Sequence, residues 1–272
     1  MVSRFIFSLV LLAFAFLTGC KDLERDNPLD PENEKSLTYS AVLVEAFVNT
    51  VHPSPYNRWA LESLRNLQEK YYADFIVCEY HRDLQVDTTI YDDPYNTPDN
   101  QTVFQLLQDR YVSQHSDVPR GVPDVYLNGA QHRFSGAYDA QSLRQQVEPL
   151  FLQQISQENY FALQPEITFI NDTTLQVKCL VAGLGMHVVE QKRLRVIFLK
   201  KEWDKAWGLH LNVVTKLVWP GIPVPDIKKG AYKTVDAGRF HFKDLPDRVV
   251  VALVSDDELT VYQTRSTDVD KQ

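Results

Sequence analysis

Two hydrophobic periods follow one another along the first half of the chain. Ala41 to Phe47 is a short, mostly apolar and β-branched run, the pattern of a buried strand. After the turn His52-Pro53-Ser54-Pro55, residues Ala60, Leu64, Leu67 and Tyr71 recur at helical spacing, which predicts a helix over 55–72. Ser54 reads as its N-cap and Pro55 as its first residue, where a missing N–H costs nothing. Ala73 to Tyr80 is again apolar and completes a βαβ unit. A loop rich in Asp, Asn and Pro leads to a helical stretch near 101–112. A Gly-Val-Pro at 121–123 then precedes a strand that ends in the Asn128-Gly129 turn, and Gln131 to Phe134 returns as an antiparallel partner. From Asp139 a last helix puts Ala140, Leu143, Val147, Leu150 and Phe151 inward, with Pro149 expected to kink or restart it.

From about residue 159 the period becomes two. Alternating runs recur at Tyr160–Ile170, Thr174–Val181, Arg193–Lys200, Leu209–Trp219, Arg239–Phe242, Arg248–Ser255 and Leu259–Thr264, separated by Asn-Asp, Gly-x-Gly and Asp-Asp turns. Short strands without a helix predict an antiparallel sandwich of immunoglobulin-like type. The expected architecture is therefore an α/β thioredoxin-like domain at 39–156 followed by an all-β immunoglobulin-like sandwich domain at 157–272.

The N-terminal residues change the picture from fold to address. Residues 1–19 have a basic Arg4 and an apolar core from Phe5 to Phe16, the layout of a signal peptide, too short to span a bilayer. It closes on Leu17-Thr18-Gly19-Cys20, which resembles the bacterial lipobox and predicts acylation of Cys20. Residues 20–38 are charged and proline-punctuated, a lipidated flexible tether. Lys21 after Cys20, in place of an aspartate, favours the outer membrane, with the periplasmic and cell-surface faces both open. A formal net charge of -8 without a Lys/Arg cluster argues against nucleic acid as a partner. Two further cysteines, Cys78 and Cys179, each fall in an alternating apolar run and read as buried thiols, a disulfide between them being the alternative.

The residues Phe47-Val-Asn-Thr50, Glu79-Tyr80-His81, Asp93-Pro-Tyr95 and Gly121-Val-Pro123-Asp-Val-Tyr-Leu-Asn-Gly129 together resemble the thioredoxin-like lipoproteins of the outer membrane protein twenty-eight-related family. The resemblance covers Ala41 to about Leu152 and continues less specifically into a β-rich C-terminal region. It implies a Cys-x-x-Cys where this chain has His52 and Pro55, and it implies that Val122-Pro123 is the cis-proline loop facing that position. The residues that would do thiol chemistry are thus replaced.

His52 beside a helix N-terminus is expected to be biased toward the neutral ring, and with Ser54 and His81 nearby it could serve as a base or metal ligand. The other histidines lack ligand spacing, no metal site is expected, and no nucleotide, flavin or haem motif is present, so no cofactor is expected. Trp203, Trp207 and Trp219, with Pro220 and Pro223 in the Trp219–Pro225 stretch, are the candidate recognition surface for a glycan or peptide, core packing being the alternative. The reading that follows is a non-catalytic outer-membrane lipoprotein, held to the membrane by its lipid and acting as a degenerate thioredoxin-like scaffold for an envelope protein partner. A carbohydrate or peptide binding module and a thiol-disulfide oxidoreductase are the alternatives, the latter lacking its attacking thiolate.

Overall fold

The computed structural model describes residues 41–115, 121–185, 191–257 and 260–269. The signal peptide expected at 1–19, the acylated Cys20 and the tether to residue 38 lie outside them. The first half runs β1 (Val42–Val48), α1 (Tyr56–Tyr71), β2 (Phe75–His81), β3 (Leu84–Val86), β4 (Thr89–Tyr91), α2 (Pro98–Gln114), β5 (Asp124–Leu127), β6 (His132–Ser135) and α3 (Ala140–Ile155). Apart from the small β3-β4 hairpin, this is the β-α-β-α-β-β-α order expected from the periodicity. β1 and β2 are parallel, and β1 pairs antiparallel with β5, giving the order β2-β1-β5-β6.

Seven strands follow: β7 (Phe161–Asn171), β8 (Thr174–Gly183), β9 (Lys192–Asp204), β10 (Leu209–Val224), β11 (Tyr232–His241), β12 (Arg248–Ser255) and β13 (Val261–Asp268). Three of them form a sheet ordered β11-β8-β7. The other four do not close on themselves. They extend the first sheet into one of eight strands, β13-β12-β9-β10-β2-β1-β5-β6, joined where Val213 of β10 stands beside Glu79 of β2. The chain thus passes from α/β to β near residue 157, yet residues 39–272 form one compact unit.

Alternation along the strands explains how one sheet serves three cores. Val42, Val44, Ala46 and Val48 pack with Ala60, Leu64 and Leu67 of α1 and Leu143, Val147 and Phe151 of α3. Leu43 and Phe47 point the other way, toward Val103, Phe104 and Leu107 of α2. The core under α2 runs on into Ile197 and Leu199 of β9 and Val250, Ala252 and Val254 of β12. The intervening residues Leu194, Val196, Phe198, Val249, Val251 and Leu253 face β7, β8 and β11 in a sandwich core. A strand whose two faces are both covered reads as a continuous apolar run, as β12 does from Val249 to Val254.

Local departures from expectation have local causes. Helix α1 begins at Tyr56 rather than Pro55; Pro55 is the N-cap, its carbonyl accepting the Trp59 amide at 3.0 Å, while Ser54 Oγ accepts the Tyr56 amide at 3.4 Å. Helix α3 starts in a reciprocal cap, Ser142 N–H donating to Asp139 Oδ1 at 2.6 Å, and continues as one element through Pro149. Pro149 is on its exposed side, as is Gln145, whose carbonyl loses its helical donor. Asn128 and Gly129 have φ of 52° and 88°, as their turn requires, and Asn128 Oδ1 also accepts the Leu43 amide at 2.9 Å.

Cys78 and Cys179 are free and buried in different cores, so the disulfide alternative does not hold. Burial pushes the Cys78 thiol well up and raises Cys179 to about 12. Iodoacetamide at pH 8 should therefore leave both unlabelled in the native protein and label both in guanidinium, as read by mass spectrometry. Rapid native labelling of either would contradict this packing.

Candidate functional site

The C-terminal end of β1 delivers Asn49 and Thr50 to the turn before α1, and the turn is held from beneath. Asn49 is fully buried and its amide spends every polar atom. Its Oδ1 accepts the amides of Val51 (3.0 Å) and His52 (2.7 Å), and its Nδ2 donates to the carbonyls of Arg82 and Tyr91, both at 2.8 Å. Thr50 donates from its amide (2.6 Å) and its hydroxyl (3.1 Å) to Asp93 Oδ2. Asp93 in turn stands 3.3 Å from His81 Nδ1, and the other ring nitrogen of His81 lies 3.8 Å from Glu79 Oε2. Glu79 Oε1 accepts the amide of Asn212 at 2.9 Å, which ties this cluster to β10.

A histidine set between two carboxylates in the interior holds its proton. Burial works to lower the His81 pKa, but the hydrogen bond to Asp93 and the negative charge of both carboxylates, Glu79 acting across 3.8 Å, carry it up to about 9. Burial works to raise Asp93, and the His81 contact together with the Thr50 and Tyr95 amides brings it below the usual carboxylate value. The cluster is therefore a buried ion network beneath the loop. Periodicity offered one signal for it, Glu79 and His81 two apart on one face of an otherwise apolar strand.

His52 is partly exposed, its ring 4.7 Å from that of Tyr91, and its Nδ1 accepts the Ser54 amide at 3.2 Å. His81 faces the interior carboxylates and is fully buried, so the two histidines make no shared site. Among the described residues no group of three His, Cys, Asp or Glu is arranged to hold a metal ion. The Val122–Pro123 peptide is cis, as the resemblance implies, and Pro123 is buried, its carbonyl accepting the Gly136 amide at 3.0 Å. Around the turn several apolar residues reach the surface: Val51 and Tyr56 are each 47% exposed, Pro53 and Pro55 are exposed, and Ile90 of the β3-β4 hairpin is 62% exposed.

The aromatic and proline set expected as one recognition surface is dispersed. Trp207 packs against the core shared with α1 and α3, whereas Trp219 packs against the opposite core, under α2, with the Arg195 guanidinium 5.4 Å from its ring. Trp203 remains 49% exposed beside His210, with ring centroids 4.5 Å apart. Pro220 and Pro223 do not lie in a free loop: β10 runs on to Val224, bulges between Val218 and Ile222, and pairs Pro223 with Arg193. A bulge accommodates the proline that lacks a donor, and the strand resumes beyond it.

No family model matches the chain, and no curated protein matches it. Among solved structures it is similar to HBP35 of Porphyromonas gingivalis, with 12% identity and a TM-score of 0.62 over 86% of this chain and 76% of that one. That likeness shows a shared fold spanning both halves. A domain of the outer membrane lipoprotein Omp28 of Porphyromonas gingivalis also matches, at 11% identity and a TM-score of 0.29 over 42% of this chain and 91% of that one. A β-glucosidase of Kluyveromyces marxianus matches at 13% identity and a TM-score of 0.26 over 42% of this chain and 14% of the enzyme.

Proposed function

We propose that the protein is a lipid-anchored envelope lipoprotein whose thioredoxin-like half no longer exchanges disulfides and presents the turn at 51–56 to a protein partner. The observation that carries this reading is the contrast between the two sides of that turn. Beneath it, Asn49, Asp93 and His81 hold the backbone rigidly; above it, Val51, Pro53, Pro55 and Tyr56 stand exposed with no thiol among them. A rigid apolar surface loses little entropy on binding. Thiol exchange needs an accessible thiolate, and Cys78 and Cys179 are buried with raised pKa values.

The Leu17–Cys20 lipobox supports attachment to a membrane, and Lys21 supports the outer one. The strand order supports an immunoglobulin-like second half, since β7-β8-β11 facing β13-β12-β9-β10 corresponds to strands A-B-E against G-F-C-C′.

A photo-crosslinking residue at Tyr56, 47% exposed, compared with one at Ile170 of β7, 41% exposed, tests the proposal in intact cells. The expected result is one discrete adduct from position 56 and none from 170. The same diffuse pattern from both positions, or none from either, would remove the turn as a docking surface.

A further inference from the structure

A groove of about 360 Å³ opens between the C-terminal half of α1 and the strands of the second half. That volume falls within the range of small-ligand sites, on the order of 300–1,000 Å³. Helix α1 contributes Arg65, Gln68 and Glu69, the turn after it Tyr72, β9 contributes Lys201, β10 His210 and Leu211, and the far strands Arg248 and Asp268. The groove is apart from the 51–56 turn, and its existence does not depend on what that turn binds.

Three features mark it as a built site. First, its charge runs against that of the chain. Arg65, Lys201 and Arg248 face only two carboxylates, Glu69 and Asp268, so one positive charge is left over on a protein of net charge -8. Asp268 is shared, with Arg248 Nε at 2.8 Å and Lys201 Nζ at 3.7 Å. Arg65 Nε is buried without a hydrogen bond, its nearest carboxylate, that of Glu69, being 3.7 Å away on a side chain that is itself 70% exposed. Second, Tyr72 adopts a φ of 49° with ψ -111°, a positive-φ conformation rare for a bulky residue, and the residue is 78% exposed at the rim. Third, the floor is ordered: Asn212 Nδ2 donates to Gln68 Oε1 at 2.9 Å beside the buried Leu211, and the Trp203 ring lies tilted against His210 at the edge.

We infer that this groove binds a small amphipathic monoanion, a carboxylate on an apolar body, with Arg65 and Lys201 on the carboxylate and Tyr72 and Ala73, both exposed on its wall, against the apolar part. A single negative charge balances the excess, and a mostly apolar wall suits an alkyl or aryl body. Such a ligand touches α1 and the strands of the second half together.

Calorimetric titration of the full chain with octanoate, octanol and octylamine tests the inference. Octanoate is expected to bind saturably at one site, with octanol and octylamine at least about tenfold weaker, because a hydrogen bond to a charged group contributes about that factor. Arg65→Gln and Lys201→Gln should each weaken octanoate by about tenfold. Tyr72→Gly should also weaken it without lowering the melting temperature, since glycine takes a positive φ freely. Octanol binding as tightly as octanoate, full affinity in the Arg65 and Lys201 variants, or no saturable binding of octanoate would each overturn it.

Discussion

Exchange of Arg195 for alanine is expected to cost about 3–5 kcal/mol and to lower the melting temperature by roughly 6–20 °C. Arg195 lies on β9, Glu45 on β1, and their side chains meet across β10 and β2, Arg195 Nη1 donating to Glu45 Oε1 at 2.6 Å. Both are fully buried, and the Tyr80 hydroxyl donates to the same carboxylate oxygen at 3.1 Å. Removing the cation leaves a carboxylate in the interior of the sheet, and that uncompensated charge is what costs. The paired variant Glu45→Gln/Arg195→Met should therefore regain most of the loss, since it removes both charges and keeps an acceptor for Tyr80. Thermal unfolding followed at near and far ultraviolet wavelengths should give one transition in every variant, because the pair joins the two halves of one unit. An Arg195→Ala protein that melts with its parent would show that the ion pair does not bind the halves together.

The Glu45–Arg195 pair also marks where the reading of the sequence stops. Alternation places each strand's two faces, and the strands it predicts from Tyr160 to Thr264 are those observed, with β11 longer and β10 carried past Pro220 by its bulge. Alternation does not say which strand lies next to which. The neighbours β10 and β2 are more than a hundred residues apart, and the two strands are named together by one register pair, Val213 and Glu79. The local trace of that junction is a set of ionisable residues in apolar runs, Glu45 in β1, Glu79 and His81 in β2, Arg195 in β9. Each demands a partner once buried, but the partner's identity is a tertiary fact. The tryptophans fail for the same reason. An aromatic residue in an alternating run announces packing, and Trp207 and Trp219 pack into opposite cores. The turn at 52–55 was legible because its position between strand and helix is local, whereas the Asn49, Asp93 and His81 network beneath it brings together β1, β2 and the loop after β4.

That network carries the second large effect, a loss of stability in mild alkali. The folded His81 keeps its proton to about pH 9, while the unfolded chain releases it near 6.5. The stabilisation is complete below pH 6.5 and falls as the pH rises through 9; the gap between the two values corresponds to about 3 kcal/mol. Asp93 acts in a separate window, because a lowered carboxyl contributes above its unfolded value and is lost only on acidification. The two buried thiols also withdraw stability above about pH 8.5, since their unfolded forms ionise first. A comparison of variants cancels them. Urea unfolding of the parent and of His81→Asn at pH 6 and pH 9.5 should show the parent losing about 3 kcal/mol more than the variant across that interval, the variant being the less stable at pH 6. Equal losses in the two proteins would place the buried proton elsewhere. Glu79→Gln separates charge from packing: it keeps an acceptor for the Asn212 amide but removes one of the two carboxylates that hold the His81 proton. Its stability should begin to fall near pH 6.5 as the parent's does, because the unfolded imidazole sets that onset, but should level off at a lower pH with less lost in total, while the turn above, anchored through Thr50 and Asp93, stays in place.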